Sequence, residues 1–174
     1  MCDTGSTRSL VGLKSIHIPS ASRTDAQARR PAAPPLSVVE ASIPAMRTAL
    51  EQKRVTSREL VTQYLTRIGM YEDQLQAVIY VNPKALAEAD LLDRERAQGK
   101  IRGPLHGIPV ALKDNIHTVD MPTTGGALAF AGLIPPYDAT LTKQLRDAGA
   151  IILAKTQLTE LANFIASGMP GNYN

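Results

Sequence analysis

Two lysines that follow apolar runs are the residues of this 174-residue chain best suited to chemistry. Lys113 ends the segment 107–113, and Lys155 directly follows the apolar run 150–154. Functional groups of α/β proteins often lie at strand ends, and burial lowers the pKa of a lysine towards values at which it can act as a base. The alternative is a lysine whose stem packs on the sheet while its ammonium reaches water. Spacing alone leaves both interpretations open for each lysine.

Two glycine-containing segments could hold a ligand through their backbone. Segment 149–156 is one residue short of a phosphate-binding loop, with Ala154 where the second glycine is needed. Its intervening Ile, Ile and Leu belong inside a sheet, so we do not expect nucleotide binding there. Gly125 and Gly126 could bring the backbone close to a ligand, and a tight turn explains them equally well.

The histidines and the last serine offer little chemistry. His17, His106 and His117 are widely spaced and have no cysteine near them, so each is predicted to be a loop or core histidine rather than a metal ligand. Ser167 is the one serine after Lys113, and neither a glycine pair nor a base adjoins it in sequence. We interpret it as a serine at a helix end, not as a nucleophile.

Local patterns predict the elements that would position these residues. Helices are predicted at 38–54 with an interruption near Pro44, at 57–69, from Pro83 behind an Asn82 cap to near Gly99, from an Asp138 cap to Gly149, and at 158–165. Strands are predicted at 77–81, within 107–116 and at 150–154, the last buried on both faces. Helices followed by strand–helix–strand alternation indicate an α/β layered domain.

The charge is distributed unevenly along the chain. The net charge is +3, and residues 1–35 carry all of it, because residues 36–174 hold fourteen basic and fourteen acidic side chains. Residues 1–35 are also rich in Ser, Thr and Pro without apolar periodicity, which predicts a disordered basic tail in front of a domain at 36–174. The neutral domain and its seven aromatic residues without Trp argue against a nucleic-acid partner.

Cysteine content and hydropathy bear on the location. The chain has one cysteine, Cys2, and therefore no internal disulfide framework, which fits a reducing compartment. No apolar run approaches the ~18 residues of a membrane span, and the N-terminal region lacks the apolar stretch of a secretory signal. We expect a cytoplasmic protein without a membrane partner.

Several blocks of the sequence, in order and spacing, resemble the N-terminal half of amidase signature enzymes. The blocks are 103–116, which contains Gly-Ile-Pro-Val-Ala-Leu-Lys-Asp-Asn, then 122–126, 138–140 and 145–156. The resemblance runs over 37–174 and implies an α/β/α sandwich around a mixed sheet. It further implies a hydrolase of small-molecule carboxylic amides that uses a Ser–Ser–Lys triad, with Lys113 as the base and with neither a metal nor an organic cofactor. Such a lysine is expected in a site dry enough to keep it uncharged.

The serines of that triad are the main departure from the family pattern. In the family they lie in a Gly/Ser-rich stretch downstream of the lysine, and residues 114–174 contain no such stretch. We therefore expect a fold that is incomplete at its C-terminus, is inactive as residues 1–174 alone and is prone to aggregation through unpaired sheet edges. The alternatives are a non-catalytic amidase remnant and the amidase-fold component of a tRNA-dependent amidotransferase. A homodimer of the complete chain also stays open.

Overall fold

The computed structural model describes residues 35–162, which form an α/β fold. The helices and strands in chain order are α1 Ile43–Glu51, α2 Ser57–Leu75, β1 Val78–Val81, α3 Ala85–Ala97, β2 Pro109–Lys113, α4 Thr140–Asp147 and β3 Ile151–Thr156. Short 3₁₀ turns occupy Leu128–Phe130 and Glu160–Ala162. The predicted tail lies outside the described residues except for Pro35, so the division at residues 35 and 36 stays a prediction.

The three strands form a mixed sheet in the order β1–β3–β2. The central strand β3 pairs antiparallel with β1 and parallel with β2. Its residues from Ile151 to Lys155 are all buried, which confirms the prediction of a strand covered on both faces. The mixed sheet expected from the resemblance is therefore present.

Helices cover both faces of this sheet. On one face, Ile151 and Leu153 pack with Val61 of α2 and with α3. On the other face, Ile152 packs with Leu112 of β2, with Met121 and with Leu145 of α4. Side chains of a strand alternate between its faces, so a continuous apolar run in β3 supplies both cores at once. The layering agrees with an α/β/α sandwich.

Helix α2 begins as predicted but ends later. The Oγ1 atom of Thr56 accepts a hydrogen bond from the backbone N–H of Glu59, and the Glu59 carboxylate accepts one from the N–H of Thr56, which completes a capping box. The helix continues past the predicted end at residue 69 to Leu75 and stops at Gln76, whose φ is +45°. The last turns are largely exposed, so the apolar pattern that marks the buried face does not mark the end.

Two other helices begin later than predicted because of local hydrogen bonds. Helix α1 begins at Ile43 rather than 38, since the Ser42 hydroxyl caps it and Pro44 occupies its first turn. Helix α3 begins at Ala85 rather than Pro83, because the Asn82 side chain accepts a hydrogen bond from the N–H of Lys84 and forms a turn. In both cases a polar side chain accepts a backbone hydrogen bond and thereby fixes where the helix begins.

The predicted cap of α4 is wrong. The residue that precedes the helix is Ala139. Asp138 instead accepts a hydrogen bond from the backbone N–H of Val119 at 2.9 Å and pairs with Arg146 at 3.2 Å. Its carboxylate thus ties a neighbouring loop to the helix.

The helix predicted at 158–165 is also not seen within the described part of the chain. Residues 157–159 are irregular, and the 3₁₀ turn that follows is interrupted at Leu161, whose φ is +51°. The remainder of that prediction, with Ser167, lies outside the described residues.

Candidate active site

Lys113 is the last residue of β2, and its side chain is exposed. A left-handed turn at Gly107, with φ of +81°, leads the chain into the strand, and the Gly107 N–H donates to the carbonyl of Gly149 at 2.8 Å. Leu112 beside it is buried. Among the described residues, no carboxylate lies within 4 Å of the Lys113 ammonium. A substrate or a further segment of protein can therefore approach this amine.

Asp114 follows immediately and closes the loop that leaves β2. Its side chain is buried, and its carboxylate accepts hydrogen bonds from the backbone N–H groups of Thr124 and Gly126 at 3.2 Å and from the Thr124 hydroxyl. Its own carbonyl accepts from the N–H of Gly125 at 3.1 Å. Gly126 has a φ of +70°, which a residue with a side chain adopts at a cost. The Thr-Thr-Gly-Gly segment thus forms the far end of a loop that wraps around Asp114.

Lys155 lies in the neighbouring strand and is fully buried, with 0% of its surface exposed. Its Nζ donates to the carbonyl of Ile116 at 2.7 Å, to Oγ1 of Thr123 at 2.7 Å and to the carbonyl of Pro122 at 3.3 Å. The carboxylate of Asp114 is 3.8 Å away. Burial lowers the pKa of Lys155 to about 8, and the Asp114 charge opposes that shift.

The structure therefore separates two lysines that looked alike in the sequence. The ammonium of Lys155 does not reach water, so the interpretation of a lysine with a packed stem and a solvated ammonium is wrong for this residue. Lys113 is exposed within the described part of the chain, and the dry site expected for it is not formed by these residues. Leu112 pairs with Lys155 and Lys113 with Thr156, so the two lysines point to opposite faces of the sheet.

An open cleft of about 280 Å³ lies beside the loop that Asp114 closes. It is lined by Asn115, His117, Thr123, Thr124, Gly125, Phe130, Leu133 and Leu161. The loop supplies its polar side, and the segment around Phe130 supplies its apolar side. Asn115 brings this cleft within two residues of Lys113 along the chain. A cleft of similar volume lined by Pro35, Leu36 and α2 contains neither lysine.

The histidines considered in the sequence analysis have structural roles where the structure describes them. His106 is a core histidine, and its Nδ1 accepts from the backbone N–H of Arg102 at 3.1 Å. His117 is a loop histidine beside Tyr137, whereas His17 lies outside the described residues. Between residues 35 and 162, no group of three or more His, Cys, Asp or Glu side chains is arranged to hold a metal ion.

The sequence analysis did not single out Asp114 or the acceptor role of Thr123. One signal could have located the polar cluster they form with Lys155. A lysine that directly follows five apolar residues of a doubly covered strand is itself enclosed, and an enclosed ammonium requires a carboxylate and oxygen acceptors nearby. Asp114 is the carboxylate that meets this requirement.

Comparisons with known proteins agree with this arrangement. The family model described as Amidase matches residues 59–171. The chain belongs to the amidase family. A probable amidase of Arabidopsis thaliana is 43% identical over 141 residues, which cover 79% of this chain and 28% of the relative. A glutamyl-tRNA(Gln) amidotransferase subunit of Natranaerobius thermophilus is 42% identical over 71% of this chain and 25% of the relative.

Solved amidase structures share the fold. The native peptide amidase of Stenotrophomonas maltophilia superposes with a TM-score of 0.72 at 44% identity, over 75% of this chain and 27% of that one. An amidase family protein of Bacillus anthracis gives a TM-score of 0.71 at 36% identity, over 77% of this chain and 27% of that one. This amidase-family chain thus spans about a quarter of the length of the relatives it matches. No helix within residues 35–162 is long and apolar enough to cross a membrane.

Proposed function

We propose that this chain contributes the base of an amide hydrolase, with Lys113 in that role. One observation carries the proposal: Lys113 ends a parallel strand with an exposed amine that no carboxylate of residues 35–162 neutralises, two residues before the cleft at Asn115. Lys155 is the other lysine of the sheet, and its three oxygen acceptors leave no room for a substrate. The substrate class would be a small-molecule carboxylic amide.

In the proposed mechanism, neutral Lys113 accepts a proton from a bridging serine. That serine takes the proton of a second serine, which attacks the amide carbonyl. The proton held by Lys113 returns through the bridging serine to the leaving nitrogen, the C–N bond breaks to release the amine, and water hydrolyses the acyl-enzyme. Backbone N–H groups would stabilise the oxyanion. Both serines would come from a Gly/Ser-rich segment outside these 174 residues. The same segment would have to enclose Lys113, because only a neutral amine can accept a proton and burial disfavours the charged ammonium.

A chimera tests the proposal. Residues 36–174 replace the matching quarter of the Stenotrophomonas peptide amidase, whose remaining chain supplies the missing part of the fold, and hydrolysis is measured with peptide amides and simple amides. We expect an active chimera in which Lys113→Ala lowers kcat by about 100- to 10,000-fold, the usual contribution of a general base.

The matched control is Lys143→Ala in the same chimera. Lys143 is an exposed lysine on α4 that pairs with Asp147, and its loss should leave turnover unchanged. An active, folded Lys113→Ala chimera would assign the base to another group. A folded chimera without hydrolysis would favour a non-catalytic amidase remnant.

A second candidate follows from the relatives named as glutamyl-tRNA(Gln) amidotransferase subunits, one of which matches this chain at 42% identity. In that case the complete protein would release ammonia for a tRNA-dependent amide transfer and would need a partner protein. Ammonia release from glutamine that rises only when the other components of the amidotransferase are added would support this candidate. Hydrolysis of simple amides without any partner would favour the first.

A further inference from the structure

We propose that Lys155 is a positioning residue, which together with Asp114 holds the loop 114–126 and thereby fixes the strand end that carries Lys113. This inference rests on the proposed role of Lys113. Lys155 itself is enclosed and contacts no reacting atom. Its effect would pass through the loop, whose first residue adjoins Lys113 and whose last residues line the cleft.

The N–H donors of the Lys155 ammonium equal in number the oxygen acceptors that this loop offers them. It has three N–H donors, and three oxygens of the loop lie within hydrogen-bond distance: the carbonyls of Ile116 and Pro122 and the hydroxyl of Thr123. All three belong to the loop, whereas Lys155 belongs to the central strand of the sheet. The lysine therefore connects a loop without regular secondary structure to the central, fully covered strand.

Asp114 completes the connection from the other side. Its backbone N–H donates to the carbonyl of Thr156 on β3 at 3.1 Å, and its carboxylate accepts from Thr124 and Gly126 near the end of the loop. The carboxylate also balances the Lys155 charge at 3.8 Å. The buried pair of Asp114 and Lys155 therefore contacts both the start and the end of the loop. Lys113, the last residue of β2, immediately precedes this loop.

Amide hydrogen exchange on the 174-residue chain tests this without substrate. Lys155→Met keeps an unbranched apolar side chain that is one atom shorter, and it removes the charge and the donors. We expect the amides of Thr124 and Gly126 to exchange at least about tenfold faster, since the charge-assisted bonds that order the loop are lost. The amides of Asn82 and Gln157, which bond to Leu153 and Ala77, should keep their rates. NMR signals of Lys113 and Asn115 should broaden or split.

Two control variants separate positioning from general destabilisation. Leu50→Val weakens a different core and should leave the exchange of the loop amides at wild-type rates. Lys113→Met should also leave them unchanged. If Lys155→Met does not fold, Thr123→Val removes one acceptor at constant shape and should accelerate the same amides to a smaller extent.

The exchange result and the proposed function can fail independently. Wild-type exchange at Thr124 and Gly126 in Lys155→Met or Thr123→Val would overturn the positioning role, whatever Lys113→Ala does to the chimera. Uniformly faster exchange across β1 and β3 would also overturn it, because Lys155 would then support the whole sheet. Faster loop exchange in Lys155→Met together with an active Lys113→Ala chimera would mean that Lys155 orders the loop but that this ordering does not serve a base at Lys113.

Discussion

Lys113 and Lys155 lie on adjacent parallel strands, one position apart in register, and face opposite sides of the sheet. Lys113 is exposed, and no carboxylate of residues 35–162 pairs with it. Lys155 is enclosed, satisfied by three oxygens and paired with Asp114. Both residues are lysines near a strand end. They differ because β3 is the central strand and β2 lies at the edge of the described sheet, and because the two side chains occupy opposite faces.

With Lys113 in its proposed role, enclosure by itself does not mark a base. A catalytic lysine must be able to lose its proton to solvent or accept one from a partner, and its amine must reach that partner. Lys155 has a lowered pKa but is enclosed, whereas the amine of Lys113 is accessible among residues 35–162. The geometry therefore indicates a structural role for Lys155 and is compatible with the catalytic role proposed for Lys113.

The largest effect on stability should come from Asp114→Asn. This change leaves the Lys155 ammonium buried without its counter-charge and removes an acceptor from the loop. Breaking a buried ion pair on one side costs about 3–5 kcal/mol, and we expect a loss of that size in the free energy of unfolding at pH 7. Urea unfolding of monomeric protein, followed by circular dichroism, measures it.

Asp147→Asn is the matched control for that experiment. Asp147 pairs with Lys143 on the surface, where solvent screens the charges and both side chains are mostly exposed. We expect no measurable change in unfolding. Equal losses for the two variants would mean that the buried pair contributes no more than an exposed one.

The second-largest expected effect is on the pH dependence of the free energy of unfolding, which should report the burial of Lys155. Its pKa is about 8 in the folded chain and about 10.4 when unfolded, so between these values the unfolded state binds more protons. Stability then rises with pH, by about 3 kcal/mol in total from this group, although the Asp114 and Asp120 charges favour its protonation. Below pH 8 the full cost of burying the charge is present.

The measurement compares unfolding curves from about pH 7.5 to about 10.5, a range that brackets both pKa values, for the wild type, Lys113→Met and Lys155→Met. Other lysines and tyrosines titrate in all three proteins, so their contribution cancels in the differences. The rise should persist in Lys113→Met and disappear in Lys155→Met. Parallel profiles for the wild type and Lys155→Met would show that the ammonium is not destabilised by burial.

Much of the fold could be predicted from the sequence because its signals are local. The capping box at Thr56 and the continuous apolar run of β3 indicated the right elements, and the blocks around Lys113 indicated the family. The predictions failed where long-range contacts decide. Asp138 pairs with Arg146 instead of capping α4, and α2 continues as an exposed helix after its apolar face has ended.

The polar cluster could be predicted only in part, for the same physical reason. Lys155 and Asp114 are far apart in sequence, and only the pairing of β2 with β3 brings their side chains together. Nothing local to Thr123 indicates that its hydroxyl faces an ammonium. The surroundings of Lys113 could not be predicted at all from residues 35–162, since no part of this range encloses it.

Lys155→Met at pH 7 makes the comparison between the two lysines sharpest. Removing the ammonium relieves the cost of burying its charge, but it also removes three hydrogen bonds and leaves the buried Asp114 carboxylate without its counter-charge. These contributions oppose each other, so we expect the free energy of unfolding to change by less than about 3 kcal/mol in the same urea experiment, and by less than for Asp114→Asn. A loss above about 3 kcal/mol would make Lys155 a stabilising residue. An unchanged stability beside a loosened loop would show that its buried charge orders the backbone next to Lys113 without strengthening the fold.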